Sequence, residues 1–119
     1  MNFMHPRLLL FMAVAAFAAA GCSPAPELSV INQAPLTISN VVVSASGFSE
    51  RIGSISSGGE HRVRVRPHGE SRARITFDAG GRHLDSGPQP PFQADEVDSV
   101  MVNVRPNLSV TVSWEMRRH

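Results

Sequence analysis

Short runs of alternating apolar and polar residues follow one another from Leu28 towards the C-terminus. Two runs, 61–66 and 72–77, show this most clearly, with inward candidates at Val63, Val65, Ala73, Ile75 and Phe77. A period of two places alternate side chains on opposite faces of a strand. Turn-forming residues interrupt the runs roughly every 8–12 residues, as in β-sandwiches. The pattern predicts an all-β protein, a small antiparallel β-sandwich of about seven to eight strands.

Local irregularities refine this prediction. The apolar phase changes between Ile38 and Val41, which predicts a β-bulge near Ser39 and Asn40. The segment 86–91 (SGPQPP) predicts a loop, because proline cannot donate a hydrogen bond to a sheet. Residues 97–104 and 108–114 predict a final hairpin, with Trp114 facing inwards.

The strand arrangement resembles the immunoglobulin-like sandwiches of extracytoplasmic bacterial proteins. The shared features are a strand opening near Asn32, the run Ile38 to Val43, and Ile52-Gly53 before a Gly-Gly turn. They span about half of residues 22–119. The resemblance implies a fold, and a fold of this kind serves many functions.

The first 21 residues have the composition of a leader. A short polar start with Arg7 precedes an uninterrupted apolar run from Leu8 to Ala20. This run is shorter than the roughly 20 residues needed to span a bilayer, but it fits the core of a signal peptide. We therefore expect residues 1–21 to be removed.

The leader ends in Ala19-Ala20-Gly21-Cys22, which resembles the lipobox of bacterial lipoprotein precursors. The match departs from the commonest pattern at Ala19, where leucine is usual. The resemblance implies cleavage before Cys22, a diacylglycerol on its sulfur and usually a third acyl chain on its amine. Ser23, a neutral residue, implies sorting to the outer membrane, on its periplasmic face, rather than to the inner membrane. The alternative is an ordinary secretory signal cut after Ala20, with Cys22 incidental.

Cys22 is the single cysteine of the chain, so no internal disulfide is available. Two or three acyl chains hold a protein on a membrane almost permanently, whereas one chain binds reversibly. We expect residues 22–27 to form a lipidated tether, 28–116 the sandwich, and 117–119 a basic tail that frays in solvent.

The charge balance excludes a broad basic surface. All basic side chains other than histidine are arginines, and the ten that follow the leader match ten carboxylates. With few aromatic residues as well, the composition predicts no nucleic-acid partner.

One arginine-rich region is nevertheless a candidate binding face. If the runs 61–66 and 72–77 pair as a hairpin, Arg66 lies opposite Arg72 and Arg64 opposite Arg74, while Arg62 extends the face. Facing like charges are unfavourable, and a bound anion would relieve them. The partner would be anionic lipid head groups or an acidic envelope protein. The alternative is a solvated face paired with Glu60, Glu70 or Glu50.

Phe92 follows two prolines and is a second candidate contact. An aromatic residue on a proline-braced loop can dock into a partner. Its alternative role is to cap the open end of the sandwich.

No pattern indicates catalysis, a metal or a cofactor. His61, His68, His83 and His119 share no zinc-ligand spacing, and the acidic stretch 95–98 lacks a calcium-loop pattern. The serine-rich stretch 53–58 is not a nucleophile elbow. We therefore expect a non-enzymatic binding or structural module of the cell envelope. Two alternatives remain: a subunit or stabiliser of a larger envelope complex, and a small hydrolase or metal-dependent enzyme without a recognisable motif.

Overall fold

The computed structural model describes residues 25–117, in which all regular secondary structure is β-strand. These residues form ten strands: β1 Glu27–Asn32, β2 Ile38–Ala45, β3 Phe48–Ile55, β4 Glu60–Arg64, β5 Glu70–Ser71, β6 Arg74–Ala79, β7 Arg82–Asp85, β8 Phe92–Gln93, β9 Val97–Val104 and β10 Val110–Met116.

The strands are arranged in two four-stranded sheets and one short pair. The first sheet has the order β10-β9-β1-β4, the second has the order β3-β2-β6-β7, and β5 pairs with β8. The predicted all-β sandwich is confirmed. One pair departs from the antiparallel arrangement, because β1 runs parallel to β9, with Glu27 opposite Ser99 and Asn32 opposite Val104.

A single apolar core lies between the two sheets. Alternation along each strand directs one face of each sheet inwards, and β-branched side chains suit such a face. The predicted inward residues Ala73, Ile75 and Phe77 are buried. Residues from both sheets complete the core, including Leu28, Val30, Val100, Val102 and Val104 from the first and Ile38, Val41 and Val43 from the second.

The predicted irregularities are confirmed. The pairing of β2 shifts register between Ile38 and Val41, and Asn40 adopts a positive φ of 50°. Residues 86–91 contain no strand. The last hairpin joins β9 to β10, with Trp114 opposite Val100.

One end of the sandwich, the Asn32 pole, comprises residues 32–36 and 55–59. The side-chain nitrogen Nδ2 of Asn32 donates to the carbonyl oxygens of Leu36 (2.9 Å) and Ile55 (3.0 Å). Its Oδ1 accepts from the backbone N–H of Ala34 (3.0 Å). Asn32 is fully buried, so this one side chain closes the pole by joining the start of the β1–β2 link to the end of β3.

The opposite end, where β1 and β9 begin and where β4 and β10 end, is the N-terminal pole. It comprises residues 25–26, 66–69, 93–95 and 116–117. The backbone N–H of Ala94 donates to the carbonyl of Gly69, which joins two of its segments (2.8 Å).

Candidate functional site

Ala25 and Pro26, the first two residues that the structure describes, are held against the end of β4. Nη1 of Arg64 donates to the carbonyl oxygen of Ala25 (2.8 Å), and the N–H of Val65 donates to that of Pro26 (3.2 Å). Pro26 is buried, and Glu27 already pairs with Arg64 in the first sheet. The predicted tether of residues 22–27 is therefore too long at its C-terminal end, because Ala25 to Glu27 are held by the end of β4 and the residue after it.

Cys22, the predicted acylation site, lies outside the described residues. Its position in the chain places three peptide links between its Cα and that of Ala25. A trans peptide link spans 3.8 Å, so the two Cα atoms are at most about 11 Å apart.

A groove opens beside this N-terminal segment. Its volume is about 650 Å³. It is lined by Ala25, Pro26, Arg66, Pro67, His68, Gly69, Gln93, Ala94, Asp95 and Arg117. The lining thus combines the cationic groups of Arg66 and Arg117 with the carboxylate of Asp95 and with apolar proline and alanine surface.

Arg117 is held in the fold rather than frayed in solvent. Its N–H donates to the carbonyl oxygen of Glu96 (2.6 Å), and its Nε donates to Oδ1 of Asp98 (3.3 Å). Its side chain is only 23% exposed. The predicted tail of residues 117–119 is therefore corrected at Arg117, while residues 118 and 119 lie outside the described part.

Met116, next to Arg117, is the exposed large hydrophobic residue of the described chain, at 55%. It lies opposite Val97 at the end of β10, where the pairing with β9 shifts register. This places an uncovered apolar side chain at the same pole as the groove.

The predicted arginine hairpin is wrong. β4 pairs with β1 in the first sheet, whereas β6 pairs with β2 and β7 in the second. Between them the chain crosses from one sheet to the other: the N–H of His68 donates to the carbonyl of Ser46, and β5 pairs with β8. Arg66 therefore does not face Arg72, and Arg64 does not face Arg74.

The five candidate arginines occupy separate environments. Arg62 donates to Glu60 (3.0 Å). This is one of the ion pairs expected if the arginines form a solvated face. Arg64 holds Ala25 and lies 3.9 Å from Glu27. On the second sheet, both carboxylate oxygens of Asp85 accept from Arg74.

Arg66 and Arg72 are exposed, and neither forms an ion pair with another residue of the range 25–117. Arg66 lines the groove, whereas Arg72 lies in the link between β5 and β6. The structure thus places Arg66 at the N-terminal pole and Arg64 in contact with that pole through Ala25, and it does not assemble the five arginines into one basic face.

Phe92 is buried, with 4% of its surface exposed, so the prediction that it docks into a partner is wrong. Its ring packs against that of Trp114, with centroids 5.9 Å apart and planes inclined by 39°. The alternative, that Phe92 caps the sandwich, agrees with this contact. Burying an aromatic ring of this size is favourable by roughly 2 kcal/mol, which explains why Phe92 lies in the core rather than on the surface.

Two carboxylates on the outer face of the second sheet have lowered pKa values. Hydrogen bonds from Arg74, and then from the N–H of Gly87, lower the pKa of Asp85 to about 2. Asn40 and then His83 lower the pKa of Asp78, and His83 Nδ1 lies 2.6 Å from Asp78 Oδ1. These contacts are solvent-exposed; those of Asp85 with Arg74 and of His83 with Asp78 join β7 to β6, and that of Asn40 with Asp78 joins β2 to β6.

Within residues 25–117, no three His, Cys, Asp or Glu side chains converge as a metal site would require. The same residues contain no helix with the length and hydropathy needed to cross a bilayer. A second, smaller depression of about 250 Å³ is lined by Asn40, Val42, Arg51 and Gly53 beside the bulge of β2.

The sequence pattern did not reveal the groove. Its residues come from segments distant in the chain, and only Arg66 among them was a candidate. The run Arg117-Arg118 and the apolar Met116 just before it are the local signals that distinguish this pole.

Comparisons with known proteins support the fold and give no information on function. No protein-family model and no curated protein matches the chain. An NMR structure of a protein from Eubacterium rectale is similar, with a TM-score of 0.56 and 15% sequence identity. The match covers 81% of this chain and 93% of the other. At that identity the likeness shows a shared fold alone.

Proposed function

We propose that this chain is the precursor of a lipid-anchored bacterial envelope protein whose sandwich is a non-enzymatic binding or structural module. The observation that carries the proposal is the position of Cys22. It is the single cysteine, it ends a lipobox-like sequence, and it lies three residues before Ala25, whose carbonyl oxygen accepts a hydrogen bond from Arg64. The outer membrane is the proposed location, on the basis of Ser23.

The contacts of the N-terminal segment support an anchoring role. Arg64 and Val65 form hydrogen bonds with Ala25 and Pro26, so the residues closest to the proposed lipid anchor are attached firmly to the first sheet. The proposed binding residues at this pole are Arg64 and Arg66, whose guanidinium groups suit phosphate or carboxylate. Their partner would be a lipid head group or an acidic envelope protein.

Incorporation of a labelled fatty acid tests the proposal. Cells that express the full chain are grown with an alkyne-bearing palmitate, and the protein is isolated and coupled to a fluorophore. We expect labelling of the wild-type chain and none of Cys22→Ser, which retains the leader and the fold. An unlabelled wild-type chain, or equal labelling of the two, would contradict the proposal.

The second candidate, a subunit or stabiliser of a larger envelope complex, is favoured by the edge of the first sheet. β10 is an edge strand of that sheet, and its inward residues Val110, Val112 and Trp114 are only partly buried. A partner strand or loop could complete this edge. We expect migration with a larger assembly after mild detergent extraction, and migration as a monomer would exclude this candidate. No arrangement of side chains in residues 25–117 favours the hydrolase or metal-enzyme alternative.

A further inference from the structure

We propose that the N-terminal pole lies against the phospholipid bilayer, so that the strands stand upright and the Asn32 pole faces away from the lipid. This inference rests on the proposed acylation of Cys22 and adds an orientation and an interaction surface to it. The occupant of the surface is the layer of phospholipid head groups.

The short link from Cys22 is the first argument. An acylated sulfur lies at the boundary between acyl chains and head groups, because its glyceride chains are buried in the membrane. Adding the Cys22 side chain, roughly 3 Å long, to the 11 Å between the two Cα atoms places Ala25 within about 14 Å of that boundary. The head-group region of one leaflet is itself roughly 5–7 Å thick. The residues around Ala25 are therefore close to the head groups or among them.

The fixed exit of the chain is the second argument. A short link constrains orientation only if its attachment to the domain is rigid. Here the carbonyl of Ala25 accepts from Arg64, the carbonyl of Pro26 accepts from Val65, and Pro26 is buried. Ala25, from which the sequence leads back to Cys22, is therefore fixed at one defined point beside the groove, and a short link to that point keeps this pole near the lipid.

The chemistry of the pole is the third argument. Met116 offers an exposed apolar side chain, which is favourable at a membrane boundary. The groove offers both a guanidinium, on Arg66, and a carboxylate, on Asp95. A zwitterionic head group carries a phosphate and an ammonium, so it can satisfy both. This mixture also implies that contact does not require anionic lipid.

The distance between the poles makes the orientation measurable. β9 runs from Val97 at one pole to Val104 at the other. Its seven residue steps of about 3.3 Å give roughly 23 Å. Gln93 lines the groove and is exposed, while Gln33 is exposed at the Asn32 pole, where its N–H donates to the carbonyl of Val104.

These two glutamines provide matched reporter sites. Gln93→Cys and Gln33→Cys are each made in the full chain, and the mature lipidated protein is labelled with an environment-sensitive maleimide. Cys22 does not react, because its sulfur is already a thioether. The labelled proteins are reconstituted in vesicles of phosphatidylcholine and phosphatidylethanolamine, with and without a lipid that carries a nitroxide quencher on its head group.

We expect a blue-shifted and strongly quenched signal from position 93, and an unshifted signal from position 33 with quenching several-fold weaker. Equal quenching at the two positions, or stronger quenching at position 33, would overturn the orientation. Flotation of the vesicles separates this result from a failure of the anchor. An acylated protein floats with the lipid whatever its orientation, whereas a protein without acyl chains stays at the bottom of the gradient and would refute the proposed function instead.

A longer link is the second variant. Insertion of about ten glycine and serine residues between Pro24 and Ala25 adds a coil of roughly 17 Å. Because the proposal attributes the orientation to the short link, we expect the difference between positions 93 and 33 to shrink in this variant. An unchanged difference would contradict that cause.

Discussion

The two poles of the sandwich are closed in different ways. At the Asn32 pole, one buried amide makes three hydrogen bonds, and Ser57 adds a bond from its hydroxyl to the carbonyl of Ala34 (2.6 Å). At the N-terminal pole, the loops leave a groove with charged and apolar walls, and Met116 is uncovered. The comparison indicates that the first pole stabilises the fold, while the second is available for contact with a surface.

The largest expected effect is at the Asn32 pole. Asn32→Ala removes three hydrogen bonds and leaves the carbonyls of Leu36 and Ile55 and the N–H of Ala34 without that partner. Unsatisfied buried groups cost about 1–3 kcal/mol each, so we expect the free energy of unfolding to fall by about 3 kcal/mol.

Urea unfolding followed by Trp114 fluorescence measures this change. The control is Gln33→Ala at the same pole, where an exposed side chain bonds to no other residue of the range 25–117 and we expect a change of within about 0.5 kcal/mol. Similar losses for the two variants would mean that the buried amide does not close the pole.

A smaller effect is expected at Gly47, beside the N-terminal pole. Gly47 has a φ of 94°, and a Cβ there would lie 2.7 Å from the His68 ring and 2.9 Å from the carbonyl oxygen of Arg66. Gly47→Ala therefore combines backbone strain with a steric clash against two groove residues, and we expect a loss of about 2–3 kcal/mol.

Gly58→Ala is the matched control for that variant. Gly58 has a φ of 79°, but its Cβ would meet nothing within 4 Å, so only the strain of about 1 kcal/mol is expected. Thermal unfolding of both variants gives the difference. Equal losses would show that the segment 66–68 yields to the added methyl group.

The smallest effect concerns the exposed ion pair on the second sheet. Folding lowers the pKa of Asp85 to about 2, below its value in the unfolded chain. The folded protein then binds fewer protons, so this contribution to stability is present above about pH 4 and is lost as the pH falls through about 2. Arg74→Gln should make stability less steeply dependent on pH in that window.

Unfolding curves between pH 2 and pH 5 measure the slope. Arg82→Gln, at the start of β7, removes an exposed arginine that does not bond to Asp85 and should leave the slope unchanged. If Arg74→Gln leaves the slope of stability against pH unchanged, Arg74 is not the main cause of the lowered pKa of Asp85.

The sequence pattern predicted correctly which face of a strand is buried, but it did not predict which strands lie side by side. Alternation places Ala73, Ile75 and Phe77 inside because a period of two reports which face of a strand is apolar. It carries no information on which strand lies alongside, and so the arginine hairpin was wrong: β4 and β6 lie in different sheets. The parallel pairing of β1 with β9 joins residues far apart in the chain and leaves no local signal.

The candidate site shows the same division. Cys22 and its lipobox-like sequence are local features, and the sequence alone indicates them. The bond from Arg64 to Ala25 spans 39 residues, and the groove is assembled from four segments, so neither follows from a short pattern. Phe92 was ambiguous because a proline-braced aromatic residue suits either a core or a contact, and only packing against Trp114 decides between them.

The most direct measurement is the mass of the N-terminal peptide of the mature protein, released from the purified chain by proteolysis. The account predicts a peptide that begins at Cys22 and carries the added mass of a diacylglycerol, with or without a further amide-linked acyl chain. A peptide that begins at Gly21 or Cys22 with no acyl mass would contradict it and would leave a secreted sandwich without a lipid anchor.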